Sequence, residues 1–231
     1  MAKKKEKSSS NLYLNMILKW DEPTGMVERS IDSVIDYVDG FYVTVTYSDQ
    51  KTLLQAQEKQ NSPLLKLLNE KYKAHVSFFV WVDDFAAARN FALKQVPPGK
   101  NKYIYWQDAD DLLEGGEHLR GVCEVAYKYN QAAVFFHYFY MVDLDEKGEI
   151  HNVVVDQKRE RIVRNDGTFK WIGMLHETLI EQKQENVTKV NNDQCTVVHI
   201  SSDGKRMDTN IWRNINILEK QSIFDRLSPK Q

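Results

Sequence analysis

Cysteine is scarce in this sequence: Cys123 and Cys195 are the only two in 231 residues, and they share no CxxC spacing. A disulfide framework and a zinc knuckle are therefore excluded, and a reducing compartment is expected. No apolar stretch approaches the roughly 20 residues that span a bilayer. Residues 1–10 carry lysines with no apolar run behind them, so they read as a disordered basic tail and not as a secretory leader. Charge of one sign is also missing. With 31 Lys and Arg against 33 Asp and Glu, a whole-surface electrostatic grip on nucleic acid is not expected. There is no internal repeat, no domain linker and no HExxH, since Ile180 stands where the second His would fall. What remains is a globular chain slightly rich in aromatics, long enough to bury about 70–75% of the surface it exposes when unfolded.

The pattern of apolar residues predicts strands at 12–18, 41–46, 76–81 and 103–106, alternating with helices. Val27, Ile31, Val34 and Val38 fall at helical spacing. A Gln-rich helix from Lys51 breaks near Ser62-Pro63 and resumes through Leu68, and Asp83-Asp84 cap a helix through Lys94. This alternation implies a mostly parallel, doubly wound α/β sheet. After a helix at 116–129 the chain turns to strands at 133–140, 150–155 and 161–164, so the second half is expected to be more antiparallel. A last amphipathic helix from about Asp208 carries Ile211, Ile215, Leu218 and Ile223.

Ligands of open α/β sheets bind beyond the carboxyl ends of the strands, and Asp108-Ala-Asp-Asp111 lies at such an end. Three carboxylates this close repel one another and resist burial unless a cation or hydrogen bonds offset the cost. A divalent metal is the simplest offset; the alternative is a set of loop acids capping a helix that starts at Leu112 or Gly116. Arg89, on an alanine-rich helix, suits a phosphate or a base edge, or pairs with Asp84 on the surface. In the segment 169–177, Glu177 could serve as a general base and Trp171 as a stacking platform. His199 ends a strand before the polar loop 201–206, as a ligand or as a satisfied strand-end histidine. Tyr138, Tyr140, Trp171 and Trp212 either offer ring faces to a ligand or fill the core.

Taken in order, Trp81-Val-Asp-Asp-Phe-Ala-Ala-Ala-Arg-Asn-Phe-Ala-Leu93, Tyr105-Trp-Gln-Asp-Ala-Asp-Asp111, Trp171-Ile-Gly173, His176-Glu177 and His199 resemble the motifs of a family 2 glycosyltransferase with the GT-A fold. The resemblance runs from Leu12 to about Lys220. It implies a single GT-A domain over 11–231, with a nucleotide-sugar half at about 11–130 and an acceptor half at about 131–231. By the resemblance, Asp108 and Asp110 form the DxD pair and His199 completes the metal ligands, for Mn²⁺ or alternatively Mg²⁺. Thr46, Asp49, Asp84, Arg89, Asp108, Ala109, Lys205 and Arg206 would bind the nucleotide-diphosphate sugar, with a UDP-sugar expected. Trp171, Gly173 and His176 would face the sugar or acceptor, and Glu177 would deprotonate an acceptor hydroxyl for an inverting displacement. One turn departs from the family: Val45-Thr-Tyr-Ser-Asp49 replaces an Asp-led base-reading turn, leaving Asp49 or a stacked Tyr47 to meet the base. The acceptor would be a glycan, a lipid-linked sugar or a protein, in a cytoplasmic setting or at the membrane periphery. Two alternatives stand beside this reading: a catalytically degenerate GT-A module that binds a glycan or partner, and a nucleotidyltransferase.

Overall fold

The structure is a computed structural model that describes residues 10–59, 62–182, 187–200 and 207–227. The first half is built as the apolar periodicity predicts. Strand β1 (Asn11–Lys19) leads to helix α1 (Thr24–Asp32), and β2 (Gly40–Tyr47) to α2 (Gln50–Lys59) and α3 (Pro63–Lys66). Then come β3 (His75–Val80), α4 (Phe85–Gln95), β4 (Lys102–Gln107), β5 (Asp111–Glu114) and α5 (Gly116–Lys128). The second half holds the long strands β6 (Gln131–Leu144) and β7 (Ile150–Arg164), the short pair β8 (Phe169–Ile172) and β9 (Thr178–Glu181), then β10 (Thr188–His199) and helix α6 (Met207–Leu227).

One eight-stranded sheet runs in the order β3-β2-β1-β4-β7-β6-β10-β5, and β8 pairs with β9 apart from it. Strands β3, β2, β1 and β4 are mutually parallel. Strand β7 enters antiparallel between β4 and β6. The fold is therefore α/β, with a mostly parallel central sheet joined to an antiparallel half. The strands of residues 131–199 lie within the same sheet as β1–β4, and β5 closes it from beyond β10.

Strand alternation feeds a core on each face. Leu12, Leu14, Tyr103 and Tyr105 pack with Val27 and Ile31 of α1 and Leu119 and Val122 of α5. Ile104, Trp106 and Val163 point the other way, toward Ala86 of α4 and Phe169 and Trp171 of β8. Buried Ala86, Ala88 and Ala92 let α4 lie close on the sheet, and its N-terminus is capped as expected, by Asp84 accepting from Ala87 N at 2.8 Å.

Four local expectations need correction. The helix expected through Val38 ends at Asp32, followed by a 3-10 turn at Ile35–Tyr37. Asp111–Glu114, read as a loop or helix start, is a strand because β10 pairs with it. Strands expected at 150–155 and 161–164 are one continuous strand, β7. Helix α6 does form, but Ile211, Ile215, Leu218 and Ile223 are exposed, and among its described side chains Ile217 is the buried one. Of the expected basic tail, residues 1–9 lie outside the described residues, while Ser10 is buried with its hydroxyl 3.5 Å from Cys123 Sγ. No helix among the described residues is long and apolar enough to cross a membrane.

Candidate metal and nucleotide cleft

A cavity of about 400 Å³ opens beyond the carboxyl ends of the parallel strands. That volume and place are those of a small-molecule site. Its lining includes Lys19, Trp20, Thr46, Tyr47, Trp81, Arg89, Asp108, Ala109, Asp110 and Arg213. The acidic turn at its base is held from below. Buried Gln107 donates to Ser30 O at 2.9 Å, to Ser30 Oγ at 2.7 Å and to Asp111 O at 3.1 Å. The Ser30 hydroxyl in turn donates to Asp108 O at 3.1 Å. The polar face of α1 thus anchors the turn, a role that no local spacing marks.

Antiparallel pairing of β5 with β10 sets His199 opposite Asp111. This register assembles the candidate metal group: ligand atoms of Asp110, Asp111 and His199 lie within 4.8 Å of one another. His199 Nδ1 is 3.3 Å from Asp111 Oδ1 and 3.7 Å from Asp110 Oδ1. Burial pushes the Asp110 carboxyl up to about 6, with Asp108 and Asp111 adding to the rise and His199 opposing it. Burial alone would lower the His199 imidazole, but the hydrogen bond to Asp111 and the surrounding carboxylates outweigh it and hold it above its ordinary value.

Asp111 is fully buried and has a cation of its own. Arg161, also fully buried, meets it at 2.9 Å, and Tyr138 Oη donates to it at 3.1 Å. The Arg161 guanidinium lies 4.0 Å from the Trp106 ring and 4.3 Å from the Tyr138 ring. Neither Arg161 nor Tyr138 carries a sequence signal for this role, and both are found only by the pairing of β6 with β7.

Arg89 does not pair with Asp84. Its Nη2 meets Asp108 Oδ1 at 3.0 Å and its Nε meets Glu177 Oε1 at 2.5 Å, while its guanidinium carbon lies 4.7 Å from the Trp106 ring and 5.0 Å from the Trp171 ring. Burial would raise the Asp108 carboxyl, but Arg89, Arg161 and Arg159 outweigh that and hold it below the usual carboxylate range. Asn90 brackets the backbone of Trp171, donating to its carbonyl at 2.8 Å and accepting from its N–H at 3.0 Å. Gly173 (φ +95°) and His176 (φ +54°) then turn the chain so that Glu177 faces Arg89.

The expected site residues therefore divide. Thr46, Arg89, Asp108, Ala109 and Asp110 line the cavity, Glu177 joins it through Arg89, and His199 through the acidic turn. Asp49 instead caps α2, accepting from Thr52 N at 2.7 Å, and Asp84 caps α4. Trp171 is buried edge-on against Trp106, and His176 is exposed. Tyr47 is 1% exposed and lies beneath Trp20, which is 43% exposed with its ring nearly parallel. Trp20 is thus the open aromatic surface at the lip. Lys205 and Arg206 lie outside the described residues.

Comparison with protein-family models and with curated proteins finds no match for this chain. Among solved structures it is similar to S. aureus TarS 1-349, at 14% identity over 58% of this chain and 37% of that one, with a TM-score of 0.35. It is also similar to GalNAc-T7 with UDP, GalNAc and Mn²⁺, at 14% identity over 76% of this chain and 30% of that one, with a TM-score of 0.39. A third likeness is to 4-diphosphocytidyl-2C-methyl-D-erythritol synthase from Anaerococcus prevotii, at 10% identity over 68% and 70% of the chains, with a TM-score of 0.38. With all three TM-scores below 0.5, the functional reading rests on the site and not on these likenesses.

Proposed function

We propose that the protein is an inverting, metal-dependent glycosyltransferase of GT-A type that moves a sugar from a nucleotide-diphosphate sugar, with a UDP-sugar the first donor to test, to an acceptor hydroxyl. The observation that carries this reading is the meeting of Asp110, which lines a strand-end cleft, with Asp111 and His199 behind it, while Arg89 on the same lining holds Glu177. Asp108, Asp110, Asp111 and Glu177 outnumber the two guanidiniums committed to them, those of Arg89 and Arg161. The surplus of negative charge favours a divalent cation. Two carboxylates and an imidazole form a donor set that suits Mn²⁺, with Mg²⁺ the alternative. Bound there, the cation would supply positive charge against the diphosphate leaving group.

The remaining roles belong to the chain itself. Glu177 would accept the proton of the acceptor hydroxyl as its oxygen bonds to the anomeric carbon and the bond to the diphosphate oxygen breaks. Arg89 would orient Glu177 relative to Asp108, and Trp20, Thr46 and Ala109 would border the nucleoside. The test is sugar transfer or donor hydrolysis across a panel of nucleotide sugars with Mn²⁺. Glu177→Gln should lose about 10²–10⁴-fold in turnover while still binding nucleotide. Turnover equal to the parent would remove Glu177 from the chemistry.

One observation favours a second reading, a binding module without turnover: Arg89 occupies Asp108 and Glu177 together. Nucleotide binding with Mn²⁺ but no transfer or hydrolysis of any donor would support that reading.

A further inference from the structure

The cations of the cleft differ in how fully they are committed. Arg89 serves Asp108 and Glu177, and Arg161 serves Asp111. Arg213, on α6, lines the same cavity as Asp108 and Asp110, yet has no carboxylate partner among the described residues. Its side-chain hydrogen bonds go to Asn214 Oδ1, at 3.1 and 3.0 Å, and its guanidinium lies 5.1 Å from the Phe85 ring. Burial lowers its pKa from the ordinary arginine value, which is the mark of a cation partly withdrawn from water without a counter-charge. A guanidinium in that condition gains from an anion and suits the oxygens of a phosphate, to which it can donate in pairs.

Helix α6 is positioned to keep it there. Lys220 pairs with Asp83, just before α4, and Ile217 is buried, so the helix is pinned beside the cleft one to two turns beyond Arg213. Lys19 is a second cation on the same lining and, unlike Arg213, it is exposed.

We propose that Arg213 binds a phosphate of the donor's diphosphate, making α6 a wall of the donor site. This rests on the glycosyltransferase reading for the identity of the anion, although the anion site itself does not require it. The probes are UDP, GDP, ADP, uridine and inorganic pyrophosphate, titrated calorimetrically into the full chain with Mn²⁺ present. Arg213→Ala should weaken both pyrophosphate and the preferred nucleoside diphosphate by about 10–100-fold, the range of a lost charge-assisted hydrogen bond. Arg213→Lys should recover part of that loss, and Leu218→Ser, on the exposed side of α6, should bind as the parent does. Amides of α6 should exchange more slowly with pyrophosphate bound in the parent but not in Arg213→Ala, a readout that also exposes a misfolded variant. Equal affinity of the parent and Arg213→Ala for pyrophosphate and nucleotide overturns the inference and leaves the functional reading standing. Arg213-dependent binding of pyrophosphate without binding of any nucleoside diphosphate upholds the anion site and removes the reading. Binding of neither probe by the parent removes both.

Discussion

Arg89 serves two carboxylates from two different elements, and its planar fork is what makes that geometry available. Removing it would leave Asp108 and Glu177 partly buried without their cation. Arg89→Met should therefore lower unfolding free energy by about 3 kcal/mol, measured by urea denaturation; a change under about 1 kcal/mol would show that the two carboxylates find other partners. Asp110 behaves in the opposite sense. Its folded carboxyl titrates near 6, against about 4 in an unfolded chain, so between those values the folded state holds the extra proton. Stability then falls as pH rises from about 4 to about 6, and the penalty is complete above 6. Discounted for a side chain about one-third exposed, it is on the order of 2 kcal/mol. Without added metal, Asp110→Asn should melt higher than the parent at pH 7.5 and level with it at pH 4. Equal melting at pH 7.5 would mean that the carboxyl is not held up by its surroundings.

Between elements, the pairing of β5 with β10 decides whether the candidate metal group is assembled. Gly115 sits at the end of β5 with φ +73°, and a Cβ there would lie 2.1 Å from Gln194 O on β10. Gly115→Ala should cost more than about 2 kcal/mol, from the left-handed backbone and the collision together. It should also weaken Mn²⁺ binding about tenfold by moving His199 from Asp111. Gly148→Ala is the control: φ is +79° there, but nothing lies within 4 Å, so only the backbone term of about 1 kcal/mol applies. Equal losses in the two variants would show that the approach of β10 is not limiting. The same pairing marks where the sequence was legible and where it was not. Strands β1–β4 and the Asp84 cap follow from local periodicity and capping chemistry. Strand β5 does not, because Asp111–Glu114 offers four residues whose partner is more than 80 residues away. Arg89 was offered Asp84 by spacing along the chain, whereas its actual partners arrive with β4 and the turn after β8. Asp111, one of the three clustered acids but outside the DxD pair that the resemblance implies, joins the candidate ligand group because His199 is placed opposite it. Helix α6 is legible as a helix but its facing is not, for a similar reason: its periodic isoleucines and leucine mark an apolar stripe, whereas docking near Asp83 and Phe85 buries Ile217 and leaves that stripe exposed.

For the molecule as a whole, a formal net charge of −2 conceals a cleft in which acids outnumber the arginines committed to them. A divalent cation that binds only the folded chain adds stability by mass action, about 2.7 kcal/mol at a hundredfold excess over its dissociation constant. Mn²⁺ should therefore raise the melting temperature, chelator should reverse the rise, and His199→Ala should abolish it. An unchanged melting temperature in the parent with millimolar Mn²⁺ would exclude the three-residue group as a metal site.

The position of β10 in the sheet also has a meaning for synthesis. Its neighbours are β6 and β5, and its last residue, His199, lies opposite Asp111. A growing chain can pair β1 to β4 once residues up to 107 have emerged, but β5 stays unpaired until a strand from residues 188–199 reaches it. Long-range pairing of this kind is slow to close. Ion affinity at the acidic turn should therefore switch on late, so that a nascent or truncated chain ending before β10 carries every aspartate of the site and holds no cation.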